Sequence, residues 1–172
     1  VVLKKNIAKQ LSLRGAVNVE QLLTKHHLTT AKIESRIYPE LDNTLSQHKT
    51  KVIAQSTNST SQLFDLLVKG RIDFLLVYPS VSNFNLSLLN RRAQYISFPV
   101  EGIPLLIMSH VGCTKGEWGE GVVTEINKVL KQIKPTLQYY EAMTYWLTDS
   151  QKSAYFKRSY QTQFMNNSVL EP

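Results

Sequence analysis

At 172 residues, 42% of them hydrophobic, the chain can build one or two domains with a real core, and its 7 Gly and 6 Pro exclude a fibrous or disordered composition. No apolar run approaches the roughly 20 residues that span a bilayer, and a single cysteine, Cys113, excludes an internal disulfide and a multi-cysteine zinc site. The net charge of +7 favours an anionic partner, but the 20 basic residues are scattered, with no run longer than Lys4-Lys5 or Arg91-Arg92, which argues against nucleic acid.

Val1-Val2-Leu3 predicts a strand that opens abruptly, as if residues preceded it. Its charges follow a short apolar stretch, unlike those of a signal peptide, and the chain does not start with Met, so a processed product or a fragment is expected. Asn6 to Leu13 is weakly amphipathic. Asn18 is placed to cap a helix over Val19 to His26, with Glu20 in its first turn. Ala31 to Ser35 alternates as a strand, and Arg36-Ile37-Tyr38 forms the turn beyond it. Pro39 suits the first turn of a helix that runs through Gln47, with Leu41 and Leu45 on its inner edge. Val52 to Gln55 is the next strand, and Thr57 to Ser61 cap a helix with apolar positions at 63, 64, 66, 67 and 68.

Gly70 is the natural residue to end that helix, because it takes positive φ without a Cβ clash. Phe74 to Val77 is a continuous apolar run bounded by Pro79, the pattern of a strand covered on both faces. Asn85 to Arg92 predicts a short helix or turn. Tyr95 to Phe98 and Leu105 to Met108 predict two strands separated by Gly102-Ile103-Pro104. Gly116 to Lys134 has a strong helical period, and Pro135 to Leu147 and Ser150 to Met165 predict two more helices. The expected class is α/β, with a mostly parallel sheet flanked by helices.

No catalytic constellation is present. His26-His27 lacks a third ligand at a zinc-like spacing, and His48 and His110 stand alone, which fits surface or capping roles. There is no Gly-x-Ser-x-Gly elbow, phosphate loop or dinucleotide fingerprint. Cys113 near His110 has the residue types of a thiol nucleophile, but a lone cysteine is more often a packing residue. Asp73 opens a strand at its amino end and fits a capping or turn role. The expectation is a protein that is not an enzyme.

Leu67-Val68-Lys69-Gly70-Arg71-Ile72-Asp73-Phe74, followed by Tyr78-Pro79, resembles the L-x-x-G-R-I-D-F-x-x-x-Y-P segment of bacterial extracellular solute-binding proteins of the type II periplasmic-binding fold. The resemblance is to the divergent branch related to the amino-acid-binding family of ABC transporters. Cys113 to Gly119, followed by Ile126 to Leu130, is similar to that branch's C-x-K-x-x-W-G … I-N-x-x-L stretch, and Tyr145-Trp146-Leu147 fits its closing helices. The resemblance implies two α/β lobes joined by crossover strands, with ligand held between them. On that map residues 1–95 are lobe two, 96–108 the crossover strand region and 109–172 the carboxyl-terminal helical part of lobe one. An amino-terminal part of lobe one, about 80–100 residues in an ordinary domain, is then missing.

In open α/β sheets ligands bind at strand carboxyl ends, where helix N-termini offer N–H groups and positive potential. Arg36, with Ser35 before it, lies at such a strand end, and its guanidinium can grip a carboxylate in bidentate fashion. The resembling branch has an Arg and a Tyr in this turn, matching Arg36 and Tyr38; the alternative for Arg36 is a solvent-exposed turn residue. Tyr78 stands where amino-acid-binding relatives carry an aspartate, so it either stacks on a ligand ring or closes the core beside Pro79. Thr57 and Asn58 precede a helix, and both lining the cleft and capping the helix explain them. Trp118 is expected as a core anchor.

The implied function is reversible binding of a small polar or anionic solute, amino-acid-like or carboxylate-bearing, for ABC-type uptake. The alternative is a ligand-sensing domain of a signalling or regulatory protein. No cofactor, metal or nucleic acid is implied. The implied partners are the solute and an ABC transporter permease or membrane receptor, in the periplasm or outside the cell. Surface left by the missing part of lobe one would also favour a homodimer.

Overall fold

The structure, a computed structural model, describes residues 1–56, 59–104 and 109–153, and the chain divides into two compact units, Val1–Ile103 and Pro104–Pro172. In the first unit strands and helices alternate in the order β1 (Val2–Lys4), α1 (Lys5–Gln10), α2 (Val19–Thr24), β2 (Thr30–Ile33), α3 (Asp42–Gln47), β3 (Val52–Gln55), α4 (Thr60–Val68), β4 (Phe74–Leu75), α5 (Pro79–Leu88) and β5 (Tyr95–Ser97). They form one mixed α/β layer structure around a five-stranded sheet of order β3-β2-β4-β1-β5.

β2 pairs in parallel with β3 and β4, while β1 pairs antiparallel with β4 and β5. Four strands therefore run the same way and β1 runs against them. The sheet is mostly parallel in direction, as its sequence predicts, but with an inverted strand near its centre that the sequence pattern does not show. Alternation along each strand feeds two cores. Leu3, Phe74 and Leu76 face one side, with Leu22 and Leu23 of α2 and Leu45 of α3. Val2, Leu75 and Ile33 face the other, with Leu63, Phe64 and Leu67 of α4 and Leu86 of α5. Each aliphatic or aromatic side chain fully buried this way contributes roughly 1.5–3 kcal/mol of transfer free energy.

Local chemistry sets the helix ends. The Asn18 side chain accepts from the Gln21 N–H at 3.0 Å and caps α2 as its sequence predicts. Gly70 has φ of +70°, and the N–H groups of Gly70 and Arg71 return to the carbonyls of Leu67 and Leu66, at 3.2 and 2.9 Å, closing α4 in a Schellman motif. Asn90 ends α5 the same way, with φ of +52° and the Arg91 N–H on the Leu86 carbonyl.

Several boundaries differ from the sequence reading, among them the strand expected over Phe74 to Val77, which ends at Leu75. The helix expected from Pro39 starts at Asp42, because the Asp42 carboxylate accepts the Tyr38 N–H at 2.9 Å and folds residues 38–42 into a turn. Pro39 lies in that turn. The helix or turn expected over Asn85 to Arg92 is the second half of a helix that begins at Pro79; this proline supplies the first helical residue, where its missing N–H costs nothing. The strand expected over Ala31 to Ser35 ends at Ile33, leaving Ser35 and Arg36 outside the ladder. The strand expected at Leu105 to Met108 lies outside the described residues.

Described by itself, the second unit holds α6 (Glu117–Ile133), α7 (Leu137–Thr144) and α8 (Asp149–Gln151). Glu117 and Glu120 in the first turn of α6 and Lys131 in its last suit the helix dipole. Trp118 is not the expected core anchor. It is 70% exposed, and Gly119 alone among the described residues of α6 is fully buried. A Cβ at Gly119 would collide with the Thr114 carbonyl, which explains a glycine directly after the tryptophan.

Asp73 has the turn-fixing role expected of it. One carboxylate oxygen, Oδ2, accepts both the Thr29 N–H and the Thr29 hydroxyl, each at 2.8 Å, and so ties the start of β4 to the start of β2. Charge-assisted hydrogen bonds of this kind contribute about 1.5–3 kcal/mol. Asp73→Ala is expected to lower unfolding free energy by about 2–3 kcal/mol, and Thr29→Val, which keeps the backbone donor, by about half as much. Urea denaturation of the two variants checks this.

Candidate functional site

Without β1, the parallel strands read β3-β2-β4-β5 across the sheet, and the chain steps from β2 outward to β3, then back across to β4. The reversal lies between β2 and β4. In open α/β sheets such a switch point leaves a crevice outside the strand carboxyl ends, where neighbouring connections depart in opposite directions. Here the residues at that point follow Ile33 and Leu75, and the N-termini of α4 and α5 open at the same end. Neither helix has a side-chain cap or an acidic residue in its first turn, so both present positive potential without a built-in counter-charge.

The turn Arg36-Ile37-Tyr38 is held from below. Its first residue donates its N–H to the Ile33 carbonyl at 3.0 Å, and its last donates to the Asp42 carboxylate. That carboxylate also receives Lys32 Nζ at 3.0 Å. The Tyr38 N–H, and after it Lys32, hold the Asp42 carboxyl below the ordinary carboxylate range. On this anchored turn Arg36 is exposed, and its Nη2 donates to Thr60 Oγ1, the first residue of α4, at 3.4 Å. Ile37 beside it is 76% exposed. An apolar side chain so placed offers contact surface next to a guanidinium.

The residues expected to form the site separate into three groups. Ser35 and Arg36 stand exposed beyond β2, and Tyr78 stands 60% exposed beyond β4 as the N-cap residue of α5. Tyr78 therefore does not close the core. Tyr38 faces inward, packs against the core on the α3 side of the sheet, and buries a hydroxyl that has no hydrogen-bond partner among the described residues. Thr57 and Asn58 lie outside the described residues. Two residues the sequence reading missed belong with Arg36. Thr60 is 24 positions away, so no local pattern joins them. Ile37 carries a signal that could have been used, an apolar residue inside a polar turn with no periodic partner.

Cys113 and His110 are exposed residues of the second unit, and no group of three metal-ligating side chains occurs among the described residues. His27, in the turn after α2, takes the left-handed conformation with φ of +53°. No described helix is long and apolar enough to cross a membrane. The two described cavities do not include Arg36, Tyr38 or Tyr78: one lies beside α1 and β5, the other on α6. Comparison with family models, curated proteins and solved structures finds no match to this chain.

A carboxylate with a depressed pKa stabilises the fold above its unfolded value and loses that contribution as pH falls through its folded value. For Asp42 the window opens below the unfolded value of 3.8. Acidification from about pH 5 to pH 2 is expected to release the turn that carries Arg36. The urea midpoint should fall more steeply over that range in the unaltered chain than in Asp42→Ala, which has already lost the anchor.

Proposed function

We propose that this chain is a non-enzymatic binding module for a small polar or anionic solute, amino-acid-like or carboxylate-bearing. The observation that carries the reading is Arg36, exposed on an anchored turn at the switch point and in contact with the first residue of α4. A guanidinium beside an uncapped helix N-terminus is an arrangement that favours carboxylate, through bidentate hydrogen bonds and the helix dipole together. Tyr78 and Ile37 supply exposed apolar surface on either side for the body of the ligand.

Such an edge is one wall of a cleft, and a second lobe closing on it is the mechanism. Ligand contacts with both lobes stabilise the closed state. The type II periplasmic-binding arrangement suits this sheet, because β1 and β5 lie side by side and their ends nearest the switch point, Val1 and Phe98, exchange hydrogen bonds of 2.9 and 2.8 Å. Two adjacent strands at the ligand end are what a lobe joined to another by paired crossovers requires. In this reading the protein works outside the cytoplasmic membrane and hands its solute to an ABC-type permease.

A thermal-shift screen of the intact protein against amino acids, organic acids, small peptides and sugars tests the proposal. A ligand at a hundredfold excess over Kd stabilises by about 2.7 kcal/mol, which raises Tm by about 5–10 °C for a chain of this size. Arg36→Ala is expected to weaken a carboxylate ligand by about 10- to 100-fold, the loss of charge-assisted hydrogen bonds, and to cut its shift by about half or more. Absence of any shift across the panel, or a hit that Arg36→Ala leaves intact, would sink the reading in favour of sensing or protein interaction.

A further inference from the structure

Away from the switch point, a cavity of about 530 Å³ lies between α1, the loop after it and the edge strand β5. Its cationic lining is Lys5, Lys9 and Arg14; its apolar lining includes Leu13, Ile96 and Phe98. The ion pairs among the described residues are Lys32–Asp42 and Lys128–Glu125, so none of these three cations is neutralised by a neighbour. Ile96 is 37% exposed although it sits on a strand, and Leu13 and Phe98 are partly buried against the core below. The hollow therefore has a charged rim and an apolar floor.

Lys5 opens the six-residue α1, and no acidic residue stands in its first turn. Lys9 follows at i,i+4 on the same face, a spacing at which like charges repel. Departures from local consistency of this kind concentrate at functional sites, where a partner supplies what the helix lacks. An anion over Lys5, Lys9 and Arg14 would relieve that repulsion.

We propose that this hollow is a second ligand site, separate from Arg36, for an amphipathic organic anion, an acid head group carried on an apolar body. The head group lies among the three cations and the body covers Leu13, Ile96 and Phe98. A purely inorganic anion would leave the floor wet, and an apolar molecule would leave the cations unpaired.

Amide NMR titration of the full ¹⁵N-labelled chain tests this, at fixed ionic strength because exposed charges are screened by salt. The probe is octanoate, with acetate as head group alone and octyltrimethylammonium as tail alone. Octanoate is expected to shift the amides of Ala8, Lys9, Leu13 and Ile96 saturably, with acetate weaker by at least about tenfold, the worth of one buried aliphatic contact. Lys9→Glu with Arg14→Glu should weaken octanoate by at least about tenfold, and the neutral pair Lys9→Gln with Arg14→Gln by less. Arg36→Ala should leave these shifts unchanged, which separates failure here from failure of the switch-point reading. Acetate equalling octanoate, saturation by the cationic probe, shifts confined to residues 33–38 or to α6, or binding unaltered in both paired variants would each overturn the proposal.

Discussion

A strand near the centre of a sheet must satisfy hydrogen bonds along both edges and apolar contacts on both faces, and β1 meets all four demands with three residues. Val2 stands opposite Leu75 on one side and Ser97 on the other, and Leu3 opposite Phe74 and Ile96. Their side chains are 1% and 0% exposed and enter opposite cores. β5 is hydrogen-bonded to the rest of the sheet through β1 alone. Remove β1, and β5 detaches while β4 becomes an edge. Because β1 runs against its neighbours, its first residue and the end of β5 meet at the same end as the carboxyl termini of β2 and β4. One inverted strand thus fixes the width of the sheet, joins its two cores and brings its own first residue and the end of β5 to the end of the sheet where β2 meets Arg36.

What could be read from sequence follows from how each feature is encoded. The α4 helix, its end at Gly70 and the buried Phe74-Leu75 pair rest on periodicity and on one residue's backbone freedom, which are local properties. The Asn18 cap is equally local. Strand direction is not. Val1-Val2-Leu3 is apolar on both faces, a pattern identical whether the strand runs with or against its neighbours, so the inversion of β1 has no signature in the residues themselves. The start of α3 was illegible for a related reason. Pro39 and Asp42 both suit a helix start, and the choice falls to a hydrogen bond between Asp42 and Tyr38 that exists only once the turn has closed.

The same distinction divides the candidate site. Arg36 was legible because it follows an alternating strand directly, and turn residues after parallel strands sit at the ligand end. Tyr38, two positions on, looks equivalent in sequence, yet its ring packs into the core while Arg36 stays in solvent. Thr60 contributes through a contact that spans two intervening elements. Trp118 shows the converse error. Its helical period is real, but amphipathicity states only which residues share a face, and in α6 that face is at best partly buried, with Trp118, Val129 and Ile133 exposed.

The turn at Arg36 combines a fixed base with a loosely held tip. Below, the Ile33 carbonyl and the Asp42 carboxylate lock its first and last N–H groups, so the backbone is ordered before any ligand arrives. Above, the guanidinium donates to the uncharged Thr60 hydroxyl across 3.4 Å, long for a hydrogen bond and exposed to water. In the proposed binding mode, exchanging that contact for a carboxylate would sacrifice little and gain a pair charged on both sides and able to bond in bidentate fashion. A long side chain free in solution gives up about 2 kcal/mol of rotamer entropy when it is fixed. Part of that cost is already met by the anchored backbone and by the Thr60 hydroxyl, which aims the guanidinium toward the first turn of α4. In the proposed binding mode the free energy of binding would then be left for discrimination among ligands, through the exposed apolar surface of Ile37 and Tyr78.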